Sequence, residues 1–125
     1  KTFQRINMNR FRFKEENPLH KRREEVQKIT MKWPDKIPII LEKAKNSQLE
    51  DIPKNKFLCP SDYTVQQFLG CIRKKIQMRR ETALFVFING IELVSGDAPM
   101  SQMYEQKKDE DGFLYMIFSD QDVMG

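Results

Sequence analysis

The run DGFLYMIFS at residues 111–119 is a continuous apolar segment rich in aromatic side chains. Such a run is typical of a strand that is buried on both faces of a sheet. Gly112 indicates a tight turn out of the charged segment 107–111. After Phe118 the chain becomes acidic and runs to Gly125. The sequence therefore predicts a buried final strand, on which the rest of the fold is organised, and a short tail behind it.

Length and charge restrict the class of protein. A chain of 125 residues is long enough for one domain with a modest core. It carries 22 Lys and Arg residues against 18 Asp and Glu residues, a net charge of +4. So small an excess over so many charged groups indicates a solvated surface with local basic patches, not a dedicated polyanion binder.

The sequence lacks the features of most catalytic and metal sites. Cys59 and Cys71 do not have Cys-x-x-Cys spacing and His20 has no companion ligand, so neither structural zinc nor a disulfide framework is predicted. Reduced cysteines point to the cytoplasm. There is no Gly-rich phosphate loop, and no apolar run approaches the ~20 residues that span a bilayer. We therefore expect no enzyme activity, cofactor or metal, and membrane contact only through a surface or a modification.

Hydrophobic patterning predicts three more strands, at residues 37–42, 56–60 and 83–88. Pro38 lies near the start of the first of these and suggests an edge or an outward-turned position. The dipeptide at 89–90, Asn-Gly, is the strongest hairpin signal in the chain.

Helical patterning appears in front of the strands and between them. A helical turn is expected at 11–16, followed by a helix over 18–32 with Asn17 as its cap. A second amphipathic helix is expected over 65–77, and Thr64 begins the sequence of a capping box.

The order of these elements is two strands, a helix and two strands. It predicts an α+β fold of the ubiquitin-like (β-grasp) type, with a four-stranded mixed sheet, one main helix packed across it and an N-terminal helical extension. The predicted organisation is a flexible basic arm at 1–10, a helical subdomain at 11–34, the ubiquitin-like domain at 35–119 and a flexible tail at 120–125.

Five stretches resemble the autophagy ubiquitin-like modifiers, the family of GABARAP and microtubule-associated protein light chain 3. They occur in the family's order and cover the chain from about Phe13 to Gly125. They are Phe13-Lys14-x-Glu16-x-Pro18, Ile37-Pro38-x-Ile40 with Glu42-Lys43, Lys54-x-Lys56-Phe57-Leu58-x-Pro60, Arg73-Lys74-Lys75-Ile76, and the run from Lys108 to Tyr115.

The resemblance implies a role for the C-terminal glycine. Gly125 would be joined to the amine of phosphatidylethanolamine on autophagic membranes, so that the protein would be cytoplasmic when free and on autophagosomes and cytoplasmic vesicles when lipidated. The implied partners are an activating enzyme, a carrier enzyme, a processing protease and autophagy receptors with short linear motifs. A Gly carboxylate suits this chemistry, because no side chain obstructs its adenylation and its transfer to a thiol and then to an amine.

The chain also departs from the family pattern. Met124 stands where an aromatic residue usually precedes the glycine, and Cys59 and Cys71 replace larger or branched aliphatic residues. Lys36 and Lys75 replace arginines, which keeps the charge but loses the planar guanidinium. Loop lengths match light chain 3 in one segment and GABARAP in another, so no branch is assigned.

The resemblance further implies two peptide-binding pockets on either side of strand 56–60. Pocket one comprises Glu25, Ile29, Pro38, Ile40, Lys56, Leu58 and Phe113. Pocket two comprises Phe57, Cys59, Pro60, Tyr63, Phe68, Cys71 and Ile72. An edge strand between them could accept an extended peptide whose aromatic and aliphatic side chains enter the pockets. Lys54, Lys56 and Lys75 would attract acidic residues that flank the motif.

Two other interpretations remain open. The apolar members of the pockets are also what an ordinary core requires, and edge lysines can serve only to prevent aggregation. Basic stretches at the N-terminus and at 73–80 would also suit a module that is not conjugated and that binds microtubules or, less plausibly, nucleic acid. Polyanion binding of that kind should weaken steeply with salt, whereas pocket docking should not.

Overall fold

The structure is a computed structural model that describes residues 11–90, 92–94 and 96–121. The predicted N-terminal arm at 1–10 lies outside these residues, as do Met124 and the predicted conjugation site Gly125. The elements in chain order are α1 (Arg12–Glu16), α2 (Leu19–Lys32), β1 (Lys36–Lys43), β2 (Lys56–Pro60), α3 (Val65–Lys75), β3 (Phe85–Ile88), β4 (Glu92–Leu93), α4 (Met100–Lys107) and β5 (Leu114–Ser119).

The strands form one mixed sheet in the order β2-β1-β5-β3-β4. β1 and β5 pair in parallel, and every other neighbouring pair is antiparallel. The four predicted strands and the main helix are therefore confirmed, and the Asn-Gly signal at 89–90 marks a hairpin to β4, a two-residue fifth strand. All six residues of β5 are buried, as expected for the strand at the centre of the sheet.

Pro38 does not mark an edge, because β1 lies between β2 and β5. Cross-strand hydrogen bonds join Leu41 N–H to Asn55 and Ser61 N–H to Asp35, so the odd-numbered residues of β1 bond to β2. The nitrogen of Pro38 consequently faces the β5 side, where pairing begins one residue later, at Ile39. The missing N–H therefore interrupts no ladder bond.

Successive side chains of β5 enter two different apolar clusters, one on each face of the sheet. Leu114, Met116 and Phe118 join the cluster beneath α3, which we call the α3 face. Tyr115 and Ile117, together with Phe113 just before the strand, join a cluster with residues of α1 and α2, which we call the N-terminal face. The N-terminal helices thus cover the side of the sheet that the main helix leaves open.

The sequence predicted the caps and ends of the helices only in part. The capping box is present, because Thr64 Oγ1 accepts from Gln67 N–H and Gln67 Oε1 accepts from Thr64 N–H. Helix α3 ends at Lys75 and not at Gln77, which has a positive φ of 53°. The predicted cap of α2 is wrong: Pro18 occupies the N-cap position, and Asn17 Nδ2 instead donates to Phe13 O at the end of α1.

Candidate functional site

Strand β2 is an edge strand with an unpaired side. In the register between the two strands, Cys59 lies opposite Ile37 and Phe57 lies opposite Ile39. Because the odd-numbered residues of β1 bond to β2, the backbone groups of Phe57 and Cys59 point toward β1. The N–H and C=O groups of Lys56 and Leu58 point the other way, out of the sheet. This edge can accept one more strand.

The residues of predicted pocket one lie on the N-terminal face, and only some of them are accessible. Ile40 and Phe113 are fully buried in the core cluster, and Ile29 packs against it. Leu58 is 39% exposed and faces Pro38 across the ladder. Glu25 forms an ion pair with Lys56 across the space between α2 and the edge.

The residues of predicted pocket two lie on the α3 face. Cys59, Phe68 and Ile72 belong to the core cluster, and Phe57 and Tyr63 pack against it while remaining partly exposed. The rings of Phe57 and Phe68 meet edge to face with centroids 6.3 Å apart. Pro60 and Cys71 are half-buried at the margin. The two predicted sets therefore meet at β2 from opposite faces of the sheet, and the deepest members of each are core residues.

Of Cys59 and Cys71, Cys59 lies in the core cluster and has the properties of a packing residue. Neither forms a disulfide. Burial, with a smaller contribution from the nearby Cys71, raises the pKa of the Cys59 thiol to about 12. A thiol with so high a pKa is protonated at neutral pH and is a poor nucleophile.

The three lysines predicted to attract acidic peptides do not have equivalent surroundings. Lys54 and Lys75 are exposed. Lys56 is also exposed, but its ammonium is held by Glu25 and lies 5.4 Å from the centre of the Phe13 ring. An incoming carboxylate would have to compete with Glu25 for Lys56, whereas we find no such competitor for the other two among the described residues.

A buried polar network that the sequence analysis missed joins the N-terminal helices to the sheet. Asp111 is 2% exposed, and both oxygens of its carboxylate accept hydrogen bonds. Its Oδ2 accepts from Arg22 Nη1 at 2.7 Å and from the Tyr115 hydroxyl at 2.6 Å, and its Oδ1 accepts from Phe113 N–H at 2.8 Å. Burial, reinforced by the hydrogen bond to Asp111, raises the pKa of Tyr115. The network fixes α2, and with it Glu25 and Ile29, against the sheet.

A second contact in this region is provided by Asp109. Its Oδ1 accepts from Lys14 Nζ at 2.6 Å, and its Oδ2 accepts from Asp111 N–H at 3.1 Å. Burial opposes the charged form, but these hydrogen bonds and the nearby Arg22 outweigh it and lower the pKa of Asp109. Both carboxylates, Asp109 and Asp111, lie in the charged run before Gly112. A charged run by itself indicates only a solvated segment, so the sequence did not predict that these two side chains would be paired and buried.

Two clefts on the surface are lined by residues that belong to neither pocket one nor pocket two. One, of about 420 Å³, lies between α2 and the turn before β5 and is lined by Arg23, Val26, Gln27, Tyr104, Lys108, Asp109, Glu110, Asp111 and Gly112. The other, of about 210 Å³, lies between α1 and the loop after β1. Across residues 11–90, 92–94 and 96–121 we find no cluster of metal-ligating side chains. In the same part of the chain, no helix has the length and apolarity needed to cross a bilayer.

Comparisons of the sequence and of the structure with known proteins all find the same family. Residues 21–125 match the family described as autophagy protein Atg8 ubiquitin like. Autophagy-related protein 8d of Arabidopsis thaliana is 47% identical over 113 residues, which cover 90% of this chain and 93% of the relative. The figures for autophagy-related protein 8e of the same plant are 46%, 90% and 92%. The crystal structure of Trypanosoma brucei ATG8 has a TM-score of 0.83 at 40% identity, covering 88% of this chain and 94% of that one.

Proposed function

The chain belongs to the Atg8 family of ubiquitin-like autophagy proteins, and we propose that it acts as a modifier conjugated through Gly125 to phosphatidylethanolamine. While on the membrane, the proposed modifier recruits receptors by binding aromatic-x-x-aliphatic peptides along β2. In this scheme the protein is the substrate of its activating, carrier and processing enzymes and performs no catalysis itself. It is in the cytoplasm when free and on autophagosomes and vesicles when lipidated.

Conjugation is supported by family membership together with the position of β5. The strand is wholly buried and ends at Ser119, and six residues, from Asp120 to Gly125, follow it in the sequence. Attachment to a lipid with two acyl chains would supply the anchor, since each buried methylene contributes ~0.8 kcal/mol to membrane binding.

The conjugation proposal is tested by incubating the protein with the activating and carrier enzymes, ATP and liposomes that contain phosphatidylethanolamine. Mass measurement of the C-terminal peptide should find the lipid on Gly125. Gly125→Ala should fold normally and lose most of this product. Gly70→Ala is a matched control, because Gly70 is exposed on α3 and an added Cβ meets nothing within 4 Å. Equal lipidation of the Gly125→Ala variant would contradict the proposal.

The proposal that the protein binds receptor peptides rests on one observation, the unpaired edge of β2. Lys56 and Leu58 offer alternating backbone donors and acceptors to a peptide strand, and pocket one and pocket two flank that edge on opposite faces. Alternate side chains of an added strand point to opposite faces, so an aromatic and an aliphatic residue of one peptide can reach both. An interface this small should give micromolar affinity, about −8 kcal/mol.

Two variants at one position separate backbone docking from side-chain contact. Leu58→Ala removes the apolar side chain, and Leu58→Pro also removes the outward N–H without breaking a bond to β1. Because a hydrogen bond contributes about 0.5–1.5 kcal/mol, Leu58→Pro should bind the peptide about two- to tenfold more weakly than Leu58→Ala.

The titration uses a peptide with acidic residues ahead of the motif, at about 50 and 200 mM salt. Equal affinity of the two Leu58 variants would exclude strand addition. In a parallel titration with microtubules or nucleic acid, tight binding at the lower salt concentration that falls about a thousandfold at the higher one would instead favour the alternative polyanion-binding module.

A further inference from the structure

The C-terminal ends of β1 and β5 leave the sheet side by side. Lys43 pairs with Phe118, and Ala44 N–H donates to Phe118 O at 2.8 Å. Beyond this point β1 continues into the loop from Ala44 to Asn55, and β5 continues toward the C-terminus. The loop after β1 therefore lies next to the place where the tail begins.

Three hydrogen bonds hold the first two residues after β5. Asp120 Oδ1 accepts from Ser47 Oγ and from Gln48 N–H, both at 3.2 Å. Gln121 N–H donates to Ser119 Oγ at 3.0 Å, and Ser119 is fully buried. We call these contacts the exit clamp. They attach the chain to the body of the domain two residues beyond the end of the sheet.

The loop that supplies the donors is itself fixed. Ser47 N–H donates to Ala44 O at 3.1 Å, and Leu49 N–H donates to Ser47 Oγ at 3.1 Å. The Ser47 hydroxyl therefore accepts from Leu49 while it donates to Asp120. Lys43 Nζ lies 3.5 Å from the carbonyl oxygens of Ala44 and Ser47. An ordered loop can set a direction for the residue it binds.

We propose that Asp120 is a positioning residue for conjugation, because the exit clamp fixes where and in which direction the C-terminal tail leaves the domain. This inference rests on the proposed conjugation of Gly125. Asp120 does not take part in the chemistry. It limits the volume that the reacting carboxylate can reach, and so raises its concentration at the active site of an enzyme docked on the domain.

The size of the effect follows from chain length. With the clamp, Gln121 is the last anchored position among the described residues, and a stretch of four residues, the number that follows it in the sequence, can span at most ~14 Å. Without it the last anchor is Ser119, and six residues reach at most ~21 Å. Effective concentration falls with roughly the −3/2 power of linker length, so loss of the clamp should slow delivery of the carboxylate about twofold.

The test measures the steady-state rate at which the activating enzyme forms a thioester with the full chain and passes it to the carrier enzyme, as a function of the concentration of the full chain. Asp120→Ala should lower kcat about twofold and leave KM unchanged, because docking of the domain is not altered. Asp120→Asn keeps a carbonyl oxygen that can accept both hydrogen bonds and should recover most of the rate. Ser47→Ala should lie between Asp120→Ala and the wild type. Asp97→Ala, an exposed carboxylate outside the clamp, is the matched control.

A second measurement does not depend on conjugation. In the wild type, ¹⁵N relaxation should report Gln121 as ordered, with an order parameter of about 0.85, and in Asp120→Ala that value should fall below about 0.6. Exchange of the Gln48 amide hydrogen should accelerate in the same variant.

The outcomes separate the two proposals. If wild-type protein forms no thioester or lipid product, the proposed function fails, and the relaxation data still decide whether the clamp holds the tail. If wild type is conjugated and Asp120→Ala matches it in kcat, the positioning role is overturned while the proposed function stands. An ordered Gln121 in Asp120→Ala would show that the clamp does not anchor the tail.

Discussion

The two faces of the sheet are stabilised in different ways, although the same strand, β5, supplies the centre of both. The α3 face is an apolar cluster whose buried members are mostly Ile, Leu and Val, with two Phe and two Met, and the amphipathic helix α3 covers it. The N-terminal face is an aromatic cluster in which Phe11 and Phe13 meet Tyr115 and Phe113, and its rim is closed by the buried carboxylate of Asp111.

The stability of the two faces should respond differently to the loss of a single residue. Apolar burial is non-directional and spread over many contacts, so one substitution removes only its own share. A buried ion pair depends on all its members, because removing one leaves an uncompensated charge. We therefore expect the N-terminal helices to be docked less robustly than α3, and the predictions below test that expectation in order of decreasing effect on stability.

The largest effect is expected for Asp111→Ala. The substitution leaves the guanidinium of Arg22, whose side chain is 11% exposed, and the Tyr115 hydroxyl without their shared acceptor. Breaking a buried pair in this way costs about 3–5 kcal/mol in the free energy of unfolding. Urea denaturation measures it, and hydrogen exchange should show that protection is lost first in α2.

The matched variant on the opposite face is Ile72→Ala, a fully buried aliphatic residue of α3. Its cost should be about 2–5 kcal/mol, with protection lost across the whole sheet and not in α2 alone. If Asp111→Ala costs less than about 1 kcal/mol, or if both variants lose protection in the same places, the two faces do not differ as described.

The second prediction concerns the turn that precedes β5. Gly112 has a φ of +96°, and a Cβ added there would lie 2.7 Å from Val26 Cγ1 on α2. Gly112→Ala should therefore cost about 1–3 kcal/mol, through backbone strain and displacement of α2. Val26→Ala makes room for the added methyl group. The double variant should be more stable than the sum of the two single costs predicts, and strict additivity in urea denaturation would refute the steric cause.

The fold could be predicted from the sequence where periodicity and local signals carry the information. The continuous apolar runs of β1 and β5, the apolar stripe of α3 and the capping box at Thr64 are all local patterns, and each appears in the structure. The interpretation of Pro38 as a mark of an edge was wrong because its nitrogen faces β5 one residue before pairing with β5 begins, and the sequence does not show where that pairing begins.

What could not be predicted depends on pairs far apart in the chain. Glu42 caps the first turn of α1, accepting at 2.9 Å from Arg12 N–H and from Phe13 N–H, about thirty residues away. Arg22 and Asp111 are separated by 89 positions. In the candidate site, the resemblance identified residues around β2, but only burial distinguishes Leu58, which a peptide can touch, from Ile40, which it cannot.

The third prediction is a difference in acid sensitivity. The pKa of Asp109 is lowered in the folded protein, so the stability it contributes is present above the unfolded value of about 4 and is lost as pH falls through the folded pKa. Lys14→Ala removes one cause of the lowered pKa and should flatten this loss. Urea denaturation between about pH 6 and 3 measures it, and we expect an effect smaller than that of Gly112→Ala. If wild type and Lys14→Ala decline in parallel, Asp109 is not coupled to Lys14.

The smallest effect on stability is expected where the two faces meet, at the ion pair between Lys56 and Glu25. Lys56 is 45% exposed and Glu25 33%, so the pair is screened by solvent, and Lys56→Ala should change the free energy of unfolding by about 0.5 kcal/mol or less. Thermal melting measures this change. A cost above about 2 kcal/mol would instead make Lys56 part of the structural support of the N-terminal face.

The same pair should have its main effect on binding. If acidic residues ahead of a peptide motif approach Lys56, then Lys56→Ala should weaken binding, and Glu25→Gln should strengthen it, because the ammonium no longer has a competing carboxylate in the free protein. Opposite changes in affinity with nearly unchanged melting would assign Lys56 to docking, since a purely structural ion pair would lose the same interaction in both variants. Unchanged affinity in both would leave Lys56 as a residue that only protects an exposed edge, and the electrostatic part of receptor recognition would then have to come from Lys54 and Lys75.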